Sequence, residues 1–364
     1  MRAIVLLGLA AFATSIAACG SKTNSPLECA APQTACGDVC ADLATDGKHC
    51  GACGHDCLGG ACVSGVCKTA TLFTSATGAP YGIAVDDQNV YFTTVKEGSV
   101  YRCPKRGCAE AITTMAKGLA SPRDVKSDGK NVYFTTLSSI ASCPVTGCPP
   151  AGPTTFAAGQ NAPSTIVLTG DRVWWTNHGS GAGGDAVLWC PIAGCGAGPT
   201  VFAAKQSAAE GLAVDGARVF WTLAYTPGGS VASCAMGDTC AAPTTLATGL
   251  DIPQSIASDG KNVYWTNFSG LSAMFCPVAG CGGKPMLLAA GAGWYDGIVL
   301  DDAFVYFTGG DGTGDALLRC AKSGCAGGPT VLAKGETKPG KIAVDATAIY
   351  WTASYTGAVS RVAK

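Results

Sequence analysis

The sequence predicts an all-β fold: a seven-bladed β-propeller of four-stranded blades, preceded by a small disulfide-rich module. Three observations carry this. An aromatic run recurs seven times, at Val90-Tyr91-Phe92-Thr93, Val132-Tyr133-Phe134-Thr135, Val173-Trp174-Trp175-Thr176, Val219-Phe220-Trp221-Thr222, Val263-Tyr264-Trp265-Thr266, Val305-Tyr306-Phe307-Thr308 and Ile349-Tyr350-Trp351-Thr352. The intervals are 42, 41, 46, 44, 42 and 44 residues. Each run sits in the same series of four short strand patterns, with no helical periodicity between them. Glycine numbers 50 and charged residues make up only 13%, which suits many tight turns and few surface helices.

The chain begins MRAIVLLGLAAFATSIAACGS. Arg2 precedes an apolar run from Ala3 to about Ala13, shorter than the roughly 20 residues of a membrane span, and small residues follow. An export signal is therefore expected over residues 1–18. Ile16-Ala17-Ala18-Cys19 resembles the bacterial lipobox. The resemblance implies cleavage before Cys19, a diacylglyceryl group on its sulfur and an acylated amine. Several acyl chains anchor stably where one binds marginally, at about 0.8 kcal/mol per buried methylene. Residues 19–28 are then a polar tether. Gly20-Ser21 lacks the aspartate that retains some lipoproteins in the inner membrane, so the outer membrane is the expected location.

Of 21 cysteines, one is Cys19, eight lie between Cys29 and Cys67, and twelve between Cys103 and Cys325. Setting Cys19 aside leaves an even number, and export supplies an oxidising environment in which cysteines pair. Residues 29–67 carry Cys36-Gly37-Asp38-Val39-Cys40, Ala41-Asp42-Leu43, Asp46 and Cys50-Gly51-Ala52-Cys53-Gly54 with Cys57, and end in CVSGVC. This segment resembles the stigma-specific-protein type of cysteine-rich repeat. The resemblance implies a small extracellular fold in which Cys29, Cys36, Cys40, Cys50, Cys53, Cys57, Cys62 and Cys67 form four bridges, since so short a segment encloses too little core. Their connectivity stays open among 105 pairings. A zinc site from Cys50, Cys53, Cys57 and His49 or His55 fits the Cys-x-x-Cys spacing, but it leaves the other cysteines unexplained. Relatives of this module serve adhesion or signalling, which implies interaction rather than catalysis.

The propeller is expected over residues 70–364. Each unit opens with an apolar strand (Ile83-Ala84-Val85, Leu212-Ala213-Val214, Ile342-Ala343-Val344). A turn such as Asp259-Gly260-Lys261-Asn262 follows, whose residues tolerate hairpin backbone angles. The aromatic strand comes next, and a third strand ends in cysteine. A hairpin often reading Cys-Pro-x-x-Gly-Cys leads to the fourth strand, such as Thr200-Val201-Phe202-Ala203. The last unit stops after its third strand, while Thr71-Leu72-Phe73-Thr74 precedes the first unit and matches a fourth strand. Joining the two closes a ring of seven blades and protects strand edges, as expected of a monomer. The repeat resembles the Tyr-Trp-Thr-Asp and NHL-type propeller repeats. The former usually build six blades, whereas the units here count to seven. Six pairs, Cys103/Cys108, Cys143/Cys148, Cys190/Cys195, Cys234/Cys240, Cys276/Cys281 and Cys320/Cys325, each span the hairpin between third and fourth strands. Each is expected to be a local bridge that needs no partner blade, locks the outer strands and contributes roughly 2 kcal/mol.

Function is sought where the units differ. Propellers bind at the channel mouth, on the face where the innermost strands begin. The two positions before that strand read Tyr81-Gly82, Arg123-Asp124, Ser164-Thr165, Glu210-Gly211, Gln254-Ser255, Asp296-Gly297 and Gly340-Lys341. Tyr81, Arg123, Asp124, Glu210, Gln254, Asp296 and Lys341 are candidate ligand-binding residues, with Trp294 and Tyr295 as a stacking surface and His178 on a loop of the same face. The structural alternative is that these polar groups only solvate the mouth. Lys+Arg number 24 against Asp+Glu 25, with no basic block, which excludes electrostatic capture of nucleic acid. Signals for catalysis are missing: there is no Gly-x-Ser-x-Gly elbow, His178 is the one propeller histidine, and the glycine runs open no helix that would cradle a phosphate. No cofactor is expected. The only ion suggested is calcium at Asp311 and Asp315, in a run that is also common turn chemistry. The expected role is binding of a protein or carbohydrate at the envelope. The alternatives are a metal-assisted lyase or hydrolase using Glu210, Asp296, Asp124 and His178, and a structural protein without ligand.

Overall fold

The computed structural model describes residues 27–109, 111–179, 184–225 and 227–364. The export signal, Cys19 and most of the tether lie outside the described residues. Residues 70–364 form seven four-stranded antiparallel sheets arranged as a seven-bladed propeller, each sheet in chain order except the last. That one joins Pro339–Val344, Ala348–Ala353 and Ala358–Ala363 to Ala70–Thr74, with Val359 opposite Phe73 and Arg361 opposite Ala70. The ring is thus closed by the strand that precedes the first blade.

The stretch DGKNVYWTN shows why the repeated residues are framework. Asp259 Oδ1 accepts the backbone N–H groups of Lys261 and Asn262, closing the turn, and its Oδ2 accepts the Tyr264 hydroxyl at 3.2 Å. The pattern recurs at Asp86/Tyr91, Asp128/Tyr133, Asp301/Tyr306 and Asp345/Tyr350. Val263, Tyr264 and Trp265 are fully buried. The core is a set of layers between neighbouring blades. In one, Tyr264 and Phe275 of the fifth blade meet Ile298, Phe307 and Leu318 of the sixth. Burying one such large apolar side chain contributes about 1.5–3 kcal/mol, so the aromatic strand supplies much of the adhesion between sheets.

All six propeller cysteine pairs are disulfides: Cys103–Cys108, Cys143–Cys148, Cys190–Cys195, Cys234–Cys240, Cys276–Cys281 and Cys320–Cys325. Contrary to expectation, they do not lock the third strand to the fourth. The first cysteine of each pair lies near the end of a third strand. Its partner, Cys108, Cys148, Cys195, Cys240, Cys281 or Cys325, stands in the connection, ahead of fourth strands that begin only at Thr113, Thr154, Thr200, Thr244, Met286 and Thr330. Nor are the bridges indifferent to the neighbouring blade. The connection folds back over the preceding sheet, so Cys108 joins the apolar layer of Tyr350, Cys148 that of Tyr91 and Cys195 that of Tyr133. In the same way Cys240 joins the layer of Trp174, Cys281 that of Phe220 and Cys325 that of Tyr264. Each cystine therefore closes a turn and adds apolar packing between blades.

In the small module the connectivity is Cys29–Cys40, Cys36–Cys53, Cys50–Cys62 and Cys57–Cys67. Cys50, Cys53 and Cys57 therefore belong to three separate bridges, which removes the zinc alternative.

Strand direction places the module. First strands run away from the mouth and third strands run the same way, so the chain's end at Lys364 lies on the opposite face. The module packs there. His55 sets its ring nitrogens against Cys50 O at 2.7 Å and Lys364 O at 3.0 Å, and Arg361 donates to Leu58 O and Lys105 O. Ala363 joins the module's cystine core.

Candidate functional site

Backbone geometry at the mouth repeats even though side chains do not. Ala79, Ser121, Ala162, Ala208, Ile252 and Lys338 all have φ between 48° and 57°. Each stands two residues before Tyr81, Arg123, Ser164, Glu210, Gln254 and Gly340 respectively, and in five of the six a proline intervenes. Left-handed backbone is costly for a side chain such as isoleucine. Its recurrence in six blades marks it as part of the scaffold.

In five of the seven blades the threonine of the aromatic strand then fixes the next blade. Thr93 Oγ1 donates to Arg123 O at 2.7 Å, Thr176 to Glu210 O at 2.7 Å, Thr222 to Gln254 O at 2.8 Å, Thr266 to Asp296 O at 2.8 Å and Thr352 to Tyr81 O at 2.8 Å. Four of these hydroxyls, those of Thr93, Thr176, Thr222 and Thr266, also accept an N–H group of their own blade, for example Gly211 N on Thr222 at 2.8 Å. In three blades the second mouth position must be glycine. A Cβ at Gly82 would lie 2.1 Å from Arg123 O, one at Gly211 2.1 Å from Gln254 O, and one at Gly297 2.4 Å from Gly340 O.

On this scaffold the side chains converge. Glu210 is 1% exposed. Its Oε1 accepts Ser164 Oγ at 2.6 Å and lies 3.9 Å from Arg123 Nη2. Its Oε2 is 2.8 Å from His178 Nδ1, an ion contact off the line of a directed hydrogen bond. Arg123 Nη2 donates to Tyr81 Oη at 3.2 Å. Across the ring, Lys341 Nζ meets Asp296 Oδ1 at 2.8 Å and Ser255 Oγ at 3.0 Å. Lys126 Nζ holds Asp124 at 2.8 and 3.0 Å, while Asp124 Oδ2 accepts Ile166 N.

The charges follow from this pairing. Burial opposes ionisation of Glu210, but His178, Arg123 and Lys341 outweigh it and bring its carboxyl down to about 2. Contact with Glu210 raises the His178 imidazole against its burial. Burial likewise opposes the Lys341 ammonium, and Asp296, Tyr81 and Glu210 more than compensate, so its pKa rises.

Below the rim, the innermost strands enclose a channel of about 470 Å³, polar at Asp124, Lys126, Ser255 and Lys341 and apolar beyond. A second cleft of about 580 Å³ opens between the third and fourth blades, lined by His178, Gly179, Asp185, Ser207, Ala208 and Tyr225.

The structure does not bring every candidate to this cluster. Tyr295 offers no stacking face: it is fully buried and stacks on Phe307, in space left by Gly309, where a Cβ would lie 2.8 Å from the ring. Trp294 stays at the surface, edge-on to Phe268 at 4.4 Å with Lys338 Nζ 4.4 Å from its ring. Gln254 takes its mouth position, held by its carbonyl. Asp311 and Asp315 do not point at a common cation. Asp311 Oδ1 closes its own turn on Thr313 and Gly314, and both Asp315 oxygens accept backbone N–H groups, from Trp294 and Lys338.

Sequence reasoning missed Ser164, Ser255 and Lys126 as members of the cluster. Lys126 had a signal: its position carries Ala84, Val167, Ala213, Ala257, Val299 and Ala343 in the other blades.

No protein-family model and no curated protein matches the chain. Among solved structures it is similar to virginiamycin B lyase from Staphylococcus aureus, at TM-score 0.62 and 13% identity over 82% of this chain and 98% of that one. A streptogramin B lyase structure gives TM-score 0.63 and 12% identity over 81% and 97%. Kuenenia stuttgartiensis hydrazine synthase gives TM-score 0.61 and 13% identity over 81% and 98%. At such identities the likeness is one of fold. These chains share a propeller and differ in what they do.

Proposed function

We propose that the protein is an envelope-anchored binding module that takes a protein or carbohydrate ligand at the channel mouth. The observation that carries the reading is the cluster of Tyr81, Arg123, Ser164, Glu210, Asp296 and Lys341. Six blades each place a different polar or charged group at positions whose backbone is otherwise uniform. Uniform backbone with divergent side chains is what a rigid scaffold presenting a specific surface requires. The module's docking on the opposite face supports an orientation in which a lipid on Cys19 lies behind the propeller and the mouth points away from the membrane. Replacing Cys19 by alanine is expected to move the protein from the detergent phase to the aqueous phase on partitioning.

The mouth is tested by pull-down and glycan-array binding of wild type against a Glu210→Ala, Asp296→Ala double variant. An Arg123→Gln variant serves as a milder companion, and thermal unfolding shows that each is folded. Loss of ligand by folded variants supports the mouth, and unchanged binding moves the site elsewhere.

A metal-assisted lyase is the second reading. It is favoured by the His178–Glu210 contact and by fold relatives that include a catalytically inactive histidine variant of virginiamycin B lyase with quinupristin. Against it, Glu210 is engaged by Ser164 and His178, Asp296 by Lys341 and Asp124 by Lys126, so a cation would displace several partners. Metal analysis of the protein with its disulfides intact decides between them: a stoichiometric divalent ion lost in the double variant favours the lyase.

A further inference from the structure

Arg123 and His178 are two neighbouring cations of the mouth that stay partly open to solvent, with 31% and 36% of their side chains exposed, whereas Lys126, similarly open, is held by both oxygens of Asp124. Arg123 and His178 both rest on Glu210, one near each carboxylate oxygen, so a single buried counter-ion holds the guanidinium and the imidazole side by side. A carboxylate taken out of water costs several kcal/mol unless paired, and at 1% exposure Glu210 cannot itself meet a ligand. Its effect is to fix two donors. Among the described residues Arg123 finds one hydrogen-bond acceptor, Tyr81 Oη, for its five N–H groups, and His178 Nε2 finds none. The charged groups facing His178 are Glu210, Arg123 and Asp185. Of these, Asp185 accepts Ser207 Oγ on Oδ2 and has Oδ1 shut from solvent. Negative charge therefore lies beneath and beside the pair, and the unfilled donors face outward.

Farther round the same rim, Tyr355 is 74% exposed, and Lys338 Nζ lies 5.0 Å from its ring and 4.4 Å from that of Trp294. The exposed face of Tyr355, with the half-buried Trp294 and the Lys338 ammonium beside it, suits a sugar ring, which has an apolar face and polar edges.

Building on the mouth as the binding surface, we propose that Arg123 and His178 together receive one carboxylate of an acidic saccharide, whose chain continues toward Trp294 and Tyr355. A guanidinium fork matches a carboxylate in plane, and charge-assisted hydrogen bonds of this kind are the strong ones.

The test is equilibrium binding, by calorimetry and NMR, of an oligogalacturonate, its methyl ester and a peptide with a free C-terminal carboxylate. The acid is expected to bind about tenfold or more tighter than the ester, and Arg123→Gln and His178→Gln each to lose about tenfold, the weight of one charge-assisted hydrogen bond. Affinity is expected to fall as pH rises through the His178 titration. Thermal unfolding of each variant shows that it is folded, and Arg123→Lys is expected to keep part of the binding. Equal binding of acid and ester, both weakened by Trp294→Ala, overturns the carboxylate while leaving the mouth as a binding site. Preference for the peptide over the saccharide overturns the saccharide. If the oligogalacturonate does not bind, the proposal fails. If in addition the pulled-down ligand is retained by Arg123→Gln and by the double variant, the mouth reading fails with it.

Discussion

The two faces of the propeller solve opposite problems with the same repeat. On the hairpin face the side chains repeat: an aspartate closes each of five turns and accepts a tyrosine hydroxyl, and lysines cross between blades at Lys105–Asp345 and Lys364–Asp301, both 2.7 Å. This face also carries the disulfide hairpins and the docked module. On the mouth face only the backbone repeats, through left-handed residues and threonine bridges, while the side chains differ in every blade. One face ties blades and module together through repeated side chains, and the other sets divergent side chains on a common backbone.

That contrast can be broken most severely at Arg361, which is 5% exposed and ties the last blade to Leu58 of the module and Lys105 of the first blade. Arg361→Ala strands the partly buried carbonyls of Leu58 and Lys105 and is expected to cost about 3 kcal/mol. Denaturant unfolding measures the loss, and faster proteolysis between the module and the first strand reports release of the module. Ligand binding by the remaining folded fraction is expected to be unchanged.

Threonine bridges sharpen the comparison on the mouth side. Thr266→Val removes both the bond to Asp296 O and the one accepted from Ser255 N, and is expected to cost about 2 kcal/mol. Thr308 also holds two bonds, accepting Asp296 N and Gly297 N, but both lie in its own blade, so Thr308→Val is expected to cost about as much without loosening the next blade. Hydrogen exchange separates the two: only Thr266→Val is expected to speed exchange in the first strand of the next blade, and equal exchange there in both variants would remove the bridge between blades as the reason the threonine repeats.

The smallest effects concern tryptophans. Trp175 Nε1 donates to Gln160, Trp221 to Gln206 and Trp351 to Glu336, each partner fifteen residues earlier. Trp265 has Leu250 at that place, and its buried indole N–H meets no acceptor among the described residues. Leu250→Gln is expected to raise stability by about 1 kcal/mol, read from the denaturation midpoint. At Glu336 burial raises the carboxyl pKa despite the bonds from Trp351 and Thr69. A raised folded pKa gives stability that is present in acid and lost as pH rises through it. Glu336→Gln is therefore expected to stabilise at neutral pH and to gain nothing in acid, measured by unfolding at both.

Much of this is readable in the residues. Seven aromatic strands at near-constant spacing require seven equivalent units, and a lone Thr71-Leu72-Phe73-Thr74 paired with an unfinished last unit requires closure by the N-terminal strand. Alignment of the repeats also isolates Arg123, Glu210, Asp296 and Lys341 as positions that vary. Tyr295 reads as a surface residue because its neighbour in sequence, Trp294, is one, while Gly309, which makes room for it, lies on the adjacent strand. Ser164 reads as merely polar; only its 2.6 Å contact with Glu210 across two blades gives it a role. The cysteine spacing gives the pairing, but not that Cys108 and its counterparts lie over the aromatic layer of the blade before.

The sequence by itself determined the architecture, because period, turn chemistry and strand pattern are local properties repeated often enough to leave one closed ring. It also determined where variation is concentrated. Which charges pair at the mouth, that one buried carboxylate holds Arg123 and His178 together, and that the cysteine-rich module packs against the face opposite the mouth were decided only by the tertiary structure. Those contacts join residues of different blades or of different domains, as far apart as His55 and Lys364. Their energies depend on burial and distance, which no local pattern encodes.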